Sequence, residues 1–168
     1  MNADLVPVTV RATTGLAPKQ AFEAGVRVDL TKIFTGFGPL PAVVGIRDQT
    51  GSWDHVGVSR RPVLSDGTTA FEQVTRYEPG SYFAYEVSGF TNALGRFVIG
   101  ARGSWTFDPT ADGGAAIEWT YAFRPRRLRR TLVRLVIAPV WRLYMRRVLE
   151  ATVRELRRLD AAGPARVL

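Results

Sequence analysis

Arg60, Glu72 and Tyr85 are the residues of this chain whose types and spacing best suit chemistry in an apolar pocket. A guanidinium there can orient a ligand carbonyl or carboxylate, while a glutamate or a tyrosine beside it handles a proton. They are the three candidate catalytic residues. Other chemistries are narrowed by composition. The chain has no cysteine and one histidine, His55, so disulfides and thiolate metal sites are excluded and a histidine-rich metal centre is not expected. No metal and no cofactor is expected. His55 reads as a solvent-facing residue at a strand start, and Trp53 as a ring at the sheet end or at a cavity mouth.

The elements that place these residues are strands. Leu5 to Thr13 reads as a first strand, with Pro7 marking an edge or a strand start. Pro18 opens a short helix over Lys19 to Ala24, and Asp29 caps a second over Asp29 to Phe34. The breaker-rich run Gly36 to Pro41 is a loop with exposed apolar side chains. After it the period is two: Ala42–Asp48, His55–Pro62, Thr68–Tyr77, Tyr82–Phe90, Arg96–Phe107 and Ala115–Phe123 read as an antiparallel meander.

Two turns fix its register. A three-residue loop with Gly67 left-handed pairs Leu64 with Thr68 and so sets Arg60 opposite Glu72. A turn at Pro79-Gly80 pairs Tyr77 with Tyr82, Val74 with Tyr85 and Glu72 with Val87. Arg60, Glu72, Val74, Tyr85 and Val87 then share one face, and Trp105, Phe107, Ile117, Trp119, Tyr121 and Phe123 extend it into an aromatic wall. A change of one residue in loop length would instead bring Arg61 opposite Glu72 on the outer face.

An arginine and a glutamate inside such a wall are costly to desolvate unless they pair. The pair is either a polar anchor in an apolar pocket or a cross-strand ion pair at the sheet rim, and both readings stay open. Large rings such as Phe97, Trp105 and Trp119 could also fill the interior.

A long helix follows. Leu132, Leu135, Val136, Val140, Leu143, Val148, Leu149, Val153, Leu156 and Leu159 recur at spacings of three and four, so one stripe should pack over the sheet. Pro139 predicts a kink or break. Trp141, Tyr144 and Met145 follow it and face either a ligand or the core, and a Glu150–Arg154 pair is expected on the outer side.

The net charge of +8 is located on this helix: residues 124 to 158 carry twelve arginines against Glu150 and Glu155. The knot Arg126-Arg127-Leu128-Arg129-Arg130 opens it. No nucleic-acid-binding motif accompanies the charge, so no nucleic acid is expected as a partner. A solvated face or attraction to anionic lipid explains it instead. At 168 residues and 46% hydrophobic the chain suits one domain over residues 1–168 with its own core. Met1-Asn2-Ala3-Asp4 shows no leader, and no apolar run approaches a spanning helix, so a soluble cytoplasmic protein is expected.

The runs Gly57-Val58-Ser59-Arg60, Leu64-Ser65-Asp66-Gly67, Glu72-Gln73-Val74-Thr75, Glu78-Pro79-Gly80, Phe83-Ala84-Tyr85-Glu86-Val87, Trp105-Thr106-Phe107 and Trp119-Thr120-Tyr121, in that order, resemble the START-like (SRPBCC) superfamily in its polyketide cyclase/dehydrase branch. Gly38 to Val44 and Phe123-Arg124-Pro125 also resemble that branch. The resemblance implies an α+β helix-grip (START/Bet v 1-like) fold: an antiparallel sheet wrapped on a long C-terminal helix, two short helices after the first strand, and an apolar cavity between. Candidate ligand-binding residues are Arg60, Glu72, Val74, Tyr85, Val87, Trp105, Trp119, Tyr121, Trp141 and Met145. Three functions follow as expectations. The first is a carrier or sensor of a small hydrophobic molecule. The second is a cyclase or dehydratase acting on a ketide-like substrate, with Glu72 as base or acid and Arg60 as oxyanion partner. The third is a protein that docks on a membrane or partner through its basic helix; a homodimer is an open arrangement.

Overall fold

Gly67 adopts φ +80° and closes the Leu64–Thr68 turn as its position demands. The Gly67 N–H donates to the Leu64 carbonyl at 2.9 Å and the Leu64 N–H to the Thr68 carbonyl at 2.8 Å. These and the following observations come from a computed structural model that describes residues 5–162. The turn joins β3 (Ser59–Leu64) to β4 (Phe71–Glu78) and sets Arg60 opposite Glu72. Arg61 points outward to Asp48, so the alternative loop length is not the one adopted.

The next turn differs by one residue from expectation. Glu78, not Tyr77, pairs with Tyr82 at the start of β5 (Tyr82–Ser88). A bulge between Val74 and Arg76 then shifts the ladder back, so that Val74 faces Tyr85 and Glu72 faces Val87 after all. The extra residue of a bulge also increases local twist, which suits a sheet that must curl.

Seven antiparallel strands complete the sheet. β2 (Val43–Arg47) is one edge, and β3, β4, β5, β6 (Val98–Pro109) and β7 (Ala115–Pro125) follow in sequence order. β1 (Val6–Thr14) closes the other edge on β7, which is where Pro7 can be tolerated. β3 begins at Ser59 and not at His55; the preceding residues form turns, and His55 is an exposed turn residue bonded to Asp54 at 2.7 Å.

Helices α1 (Pro18–Gly25) and α2 (Leu30–Ile33) follow β1, and Asp29 caps α2 by accepting the Thr31 N–H at 2.9 Å. The long C-terminal helix is continuous: α3 (Arg130–Leu132), a π-helical turn (Val133–Ile137) and α4 (Ala138–Ala161), which packs on β1, α1 and α2. Pro139 does not break it. The wide turn just before it, in which the Ala138 N–H reaches back five residues to the Val133 carbonyl, accommodates a residue with no N–H to give.

That turn also corrects the expected apolar stripe. The extra residue of that turn rotates what lies N-terminal to its end, so Val133 is buried while Leu132, Leu135 and Val136 are exposed; Leu143, beyond the turn, is exposed as well. From Tyr144 onward the stripe packs as expected, with Met145, Val148, Leu149, Val153 and Leu156 buried. The Glu150–Arg154 pair does not form among the described residues. Glu155 instead binds Arg158, with 2.8 Å from Nε, and Lys32 of α2 at 3.4 Å. Phe22 of α1 sits edge-on to Tyr77, Phe83 and Phe107 at 5.3, 6.1 and 5.5 Å and fills one end of the interior.

Candidate functional site

Neighbouring strands carry rings at matched positions, and this builds the wall of the site. Phe83, Trp105 and Trp119 lie side by side across β5, β6 and β7 because their strands pair them directly. Their rings stack, with Phe83–Trp105 centroids at 6.1 Å and Trp105–Trp119 at 4.8 Å. Further along β7, Tyr121 and Phe123 meet Trp141 of α4 at 5.0 and 5.7 Å.

Arg60 and Glu72 form their ion pair inside this wall. Nε of Arg60 donates to Oε2 of Glu72 at 2.8 Å, and the two side chains are 12% and 14% exposed. The guanidinium also lies over the Trp53 ring, 3.8 Å from its centroid, and Trp53 is edge-on to Tyr85 at 6.4 Å. Cation–π contact and the carboxylate together replace the water the guanidinium gives up. Sequence reasoning left Trp53 between two places; it is the lid on Arg60.

Tyr85 lies diagonally across the ladder from Glu72. Burial pushes its phenol well above the ordinary tyrosine range, and the nearby Glu72 charge adds to the shift. Burial does the same to Tyr121. Both hold their protons more firmly than an ordinary tyrosine, and the Glu72 carboxylate lies close by.

Two cavities meet at this cluster. The larger, of about 390 Å³, runs between the sheet and the C-terminal helix and is lined largely by apolar side chains. Glu72, Tyr85, Val87, Tyr121 and Trp141 border it, as do Phe34, Leu64, Phe90, Phe97 and Tyr144. The smaller, of about 40 Å³, is bordered by Trp53, Arg60 and Trp105 and has room for water only. Glu72 and Tyr85 border both. Arg60 thus reaches the large cavity through Glu72. Val74, Trp119 and Met145 are buried core residues that border neither cavity.

One contributor escaped the sequence, and another was left between ligand and core. Gly103 of β6 faces both Tyr85 and Tyr121, and a side chain there would collide with the Tyr85 ring. A glycine inside a strand pattern is the signal for such a close approach. The second is Tyr144. Its hydroxyl accepts the Gly36 N–H at 3.1 Å and donates to the Pro41 carbonyl at 3.2 Å, tying the Gly36–Pro41 loop to α4. Phe37 of that loop is stacked on Tyr144 and covered by Arg147 at 4.3 Å, so it is half-buried and not the exposed side chain expected. No group of three or more histidine, cysteine, aspartate or glutamate side chains converges among the described residues.

The family described as polyketide cyclase / dehydrase and lipid transport matches residues 9–159. The chain belongs to that family. Among curated proteins none matches the sequence significantly. Solved structures show the same fold at low identity. The Zhui aromatase/cyclase from a Streptomyces species is 16% identical with a TM-score of 0.67, covering 96% of this chain and 99% of its own. Norcoclaurine synthase from Thalictrum flavum is 12% identical with a TM-score of 0.66, covering 94% and 87%. Ara h 8.0201 is 16% identical with a TM-score of 0.64, covering 92% and 99%. Family and fold are consistent with binding of a hydrophobic ligand or with cyclase activity.

Proposed function

We propose that the chain, as one START-like domain in the cytoplasm, holds a small hydrophobic molecule such as a lipid between its sheet and its C-terminal helix, as a carrier or sensor. The observation that carries this reading is the cavity of about 390 Å³ with an apolar lining and a polar inner end at Glu72 and Tyr85. Burying an apolar ligand there contributes roughly 25 cal/mol per Å² removed from water. The neutral Tyr85 phenol and the Glu72 carboxylate orient one polar end of the guest, while Arg60 under Trp53 holds the carboxylate in place. The test is displacement of a bound apolar fluorophore by a panel of fatty acids, isoprenoids and aromatic polyketides. Saturable displacement lost in a cavity-filling Val87→Trp variant supports the reading; equal fluorophore binding by both proteins contradicts it.

A second reading is favoured by one observation, the adjacency of a neutral phenol to a carboxylate at the cavity end. A cyclase or dehydratase of ketide-like substrates needs such an acid and base. Glu72 would take a proton from the carbon between two carbonyls while Tyr85 donates to the carbonyl oxygen that gains charge. Turnover that survives Glu72→Gln unchanged would dispose of this role.

A further inference from the structure

The basic knot at the head of the C-terminal helix is not used by the cavity chemistry, yet it is built in an unusual way. Arg126 to Arg129 form a turn closed by the Arg129 N–H on the Arg126 carbonyl at 2.9 Å. Its third residue is Leu128, held at φ +64°, where a turn of this kind normally uses glycine. No packing repays that conformation, because Leu128 is 93% exposed. A strained backbone that presents a leucine to solvent points to something outside the molecule.

Leu128 is also not isolated. Leu132, Leu135, Val136 and Leu143 are the other exposed apolar residues of this region, recurring at helical spacing. Between and beside them stand Arg127, Arg134, Arg142 and Arg146, all exposed and without an ion-pair partner among the described residues. The patch reaches the large cavity at one residue. Val136, exposed, borders the large cavity together with Ile137, Val140, Leu94 and Phe97. The knot is fastened beside that border: the Arg126 N–H donates to the Phe97 carbonyl at 2.8 Å, its Nε to the Gly95 carbonyl at 2.7 Å, and Arg129 covers the Phe97 ring at 6.0 Å.

We propose that residues 126 to 143 dock the Val136 side of the cavity on an anionic lipid surface. Leucines among Arg127, Arg134 and Arg142 match the two layers of such a surface, acyl chain and phosphate, whereas a nucleic acid offers phosphate without an apolar layer. No helix of the described residues is long and apolar enough to cross a membrane, so the contact lies in the interface. Docking there lets an apolar guest pass between bilayer and cavity without crossing water. The docking is read without any cavity ligand, so its failure leaves the cavity reading untouched.

The experiment is sedimentation with phosphatidylcholine vesicles containing roughly one part in four phosphatidylglycerol, at about 0.05 M and about 0.5 M salt. Pure phosphatidylcholine vesicles and a short DNA duplex serve as competing surfaces. Binding to the anionic vesicles should weaken roughly tenfold or more in both Leu128→Ser, Leu135→Ser and Arg127→Gln, Arg134→Gln. Since the chain has no cysteine, Leu135→Cys and Asp112→Cys can each carry an environment-sensitive dye. Asp112 lies in the β6–β7 turn at the opposite end of those strands. The dye at 135 should shift to the blue on anionic vesicles and the dye at 112 should not. No vesicle binding, binding unaffected by the leucine changes, tighter binding to the duplex, or a dimer that hides the dye at 135 in solution would each overturn the proposal.

Discussion

Gly103 and Tyr85 share one space: a methyl group built on Gly103 would fall on the Tyr85 ring, 2.5 Å from its hydroxyl oxygen. The absent side chain of one residue therefore sets the position of the other, at the point where both cavities meet. Gly103→Val is expected to cost about 1–3 kcal/mol through overpacking. In a Tyr85→Ala background the same change should cost much less, because its obstacle is gone. Urea midpoints of the four proteins check this; additive losses would mean the two residues do not compete.

Arg60 and Glu72 predict an asymmetry between breaking and removing a pair. Arg60→Leu leaves a carboxylate largely out of water and should destabilise by ~3 kcal/mol, whereas Arg60→Leu, Glu72→Leu should recover part of that loss. Equal midpoints for the single and double variants would contradict the pairing as the source of the effect.

The buried phenols of Tyr85 and Tyr121 predict a loss of stability in alkali. Their folded-state values are raised, so their contribution is complete below the ordinary tyrosine value of 10.0 and is lost as pH rises above it. Absorbance at the tyrosinate band should show these two groups ionising only as the fold opens. In Tyr85→Phe the alkaline loss should be smaller, and an unaltered profile would rule out its contribution.

Acid acts elsewhere. Hydrogen bonding by Arg158 is the largest cause that lowers Glu155 to about 2, with Lys32 adding to it. A depressed carboxylate stabilises above its ordinary value of 4.5 and loses that contribution as pH falls toward 2. Comparing thermal midpoints of wild type and Glu155→Gln from neutral pH downward should show two curves that converge across this window. Parallel curves would place the acid sensitivity in another group.

Tyr144→Phe removes both hydrogen bonds that fasten the Gly36–Pro41 loop, at a cost of about 1 kcal/mol. Amide exchange at Gly36 should quicken while β6 and β7 stay protected. Unchanged exchange at Gly36 would show the loop is held by the stacking of Phe37 alone.

How much was legible in the sequence depended on whether local chemistry or distant packing decided the matter. The Arg60–Glu72 pairing was readable because Gly67 allows only one economical turn. The Val74–Tyr85 pairing was reached although the Pro79-Gly80 turn was placed one residue off, since the bulge at Thr75 compensates, and no residue type announces that bulge. Asp29 as a cap is local and was visible. The rotation of the helix stripe was not, because a π-helical turn is rare and the spacing of apolar residues does not announce it. Gly103 and Trp53 belong to the same class. Their importance lies in a neighbour on another strand, and period alone does not reveal which neighbour that is.

The central claim is that the cavity behind the C-terminal helix holds an apolar guest whose polar end meets the Glu72 and Tyr85 cluster. The most direct measurement is mass spectrometry of an organic extract of the purified protein, beside an Arg60→Leu, Glu72→Gln variant prepared identically. A stoichiometric apolar compound present in the wild type and lost from the variant is the expected result. The same compound recovered equally from both proteins, or from a variant whose cavity is filled by Val87→Trp, would contradict the account.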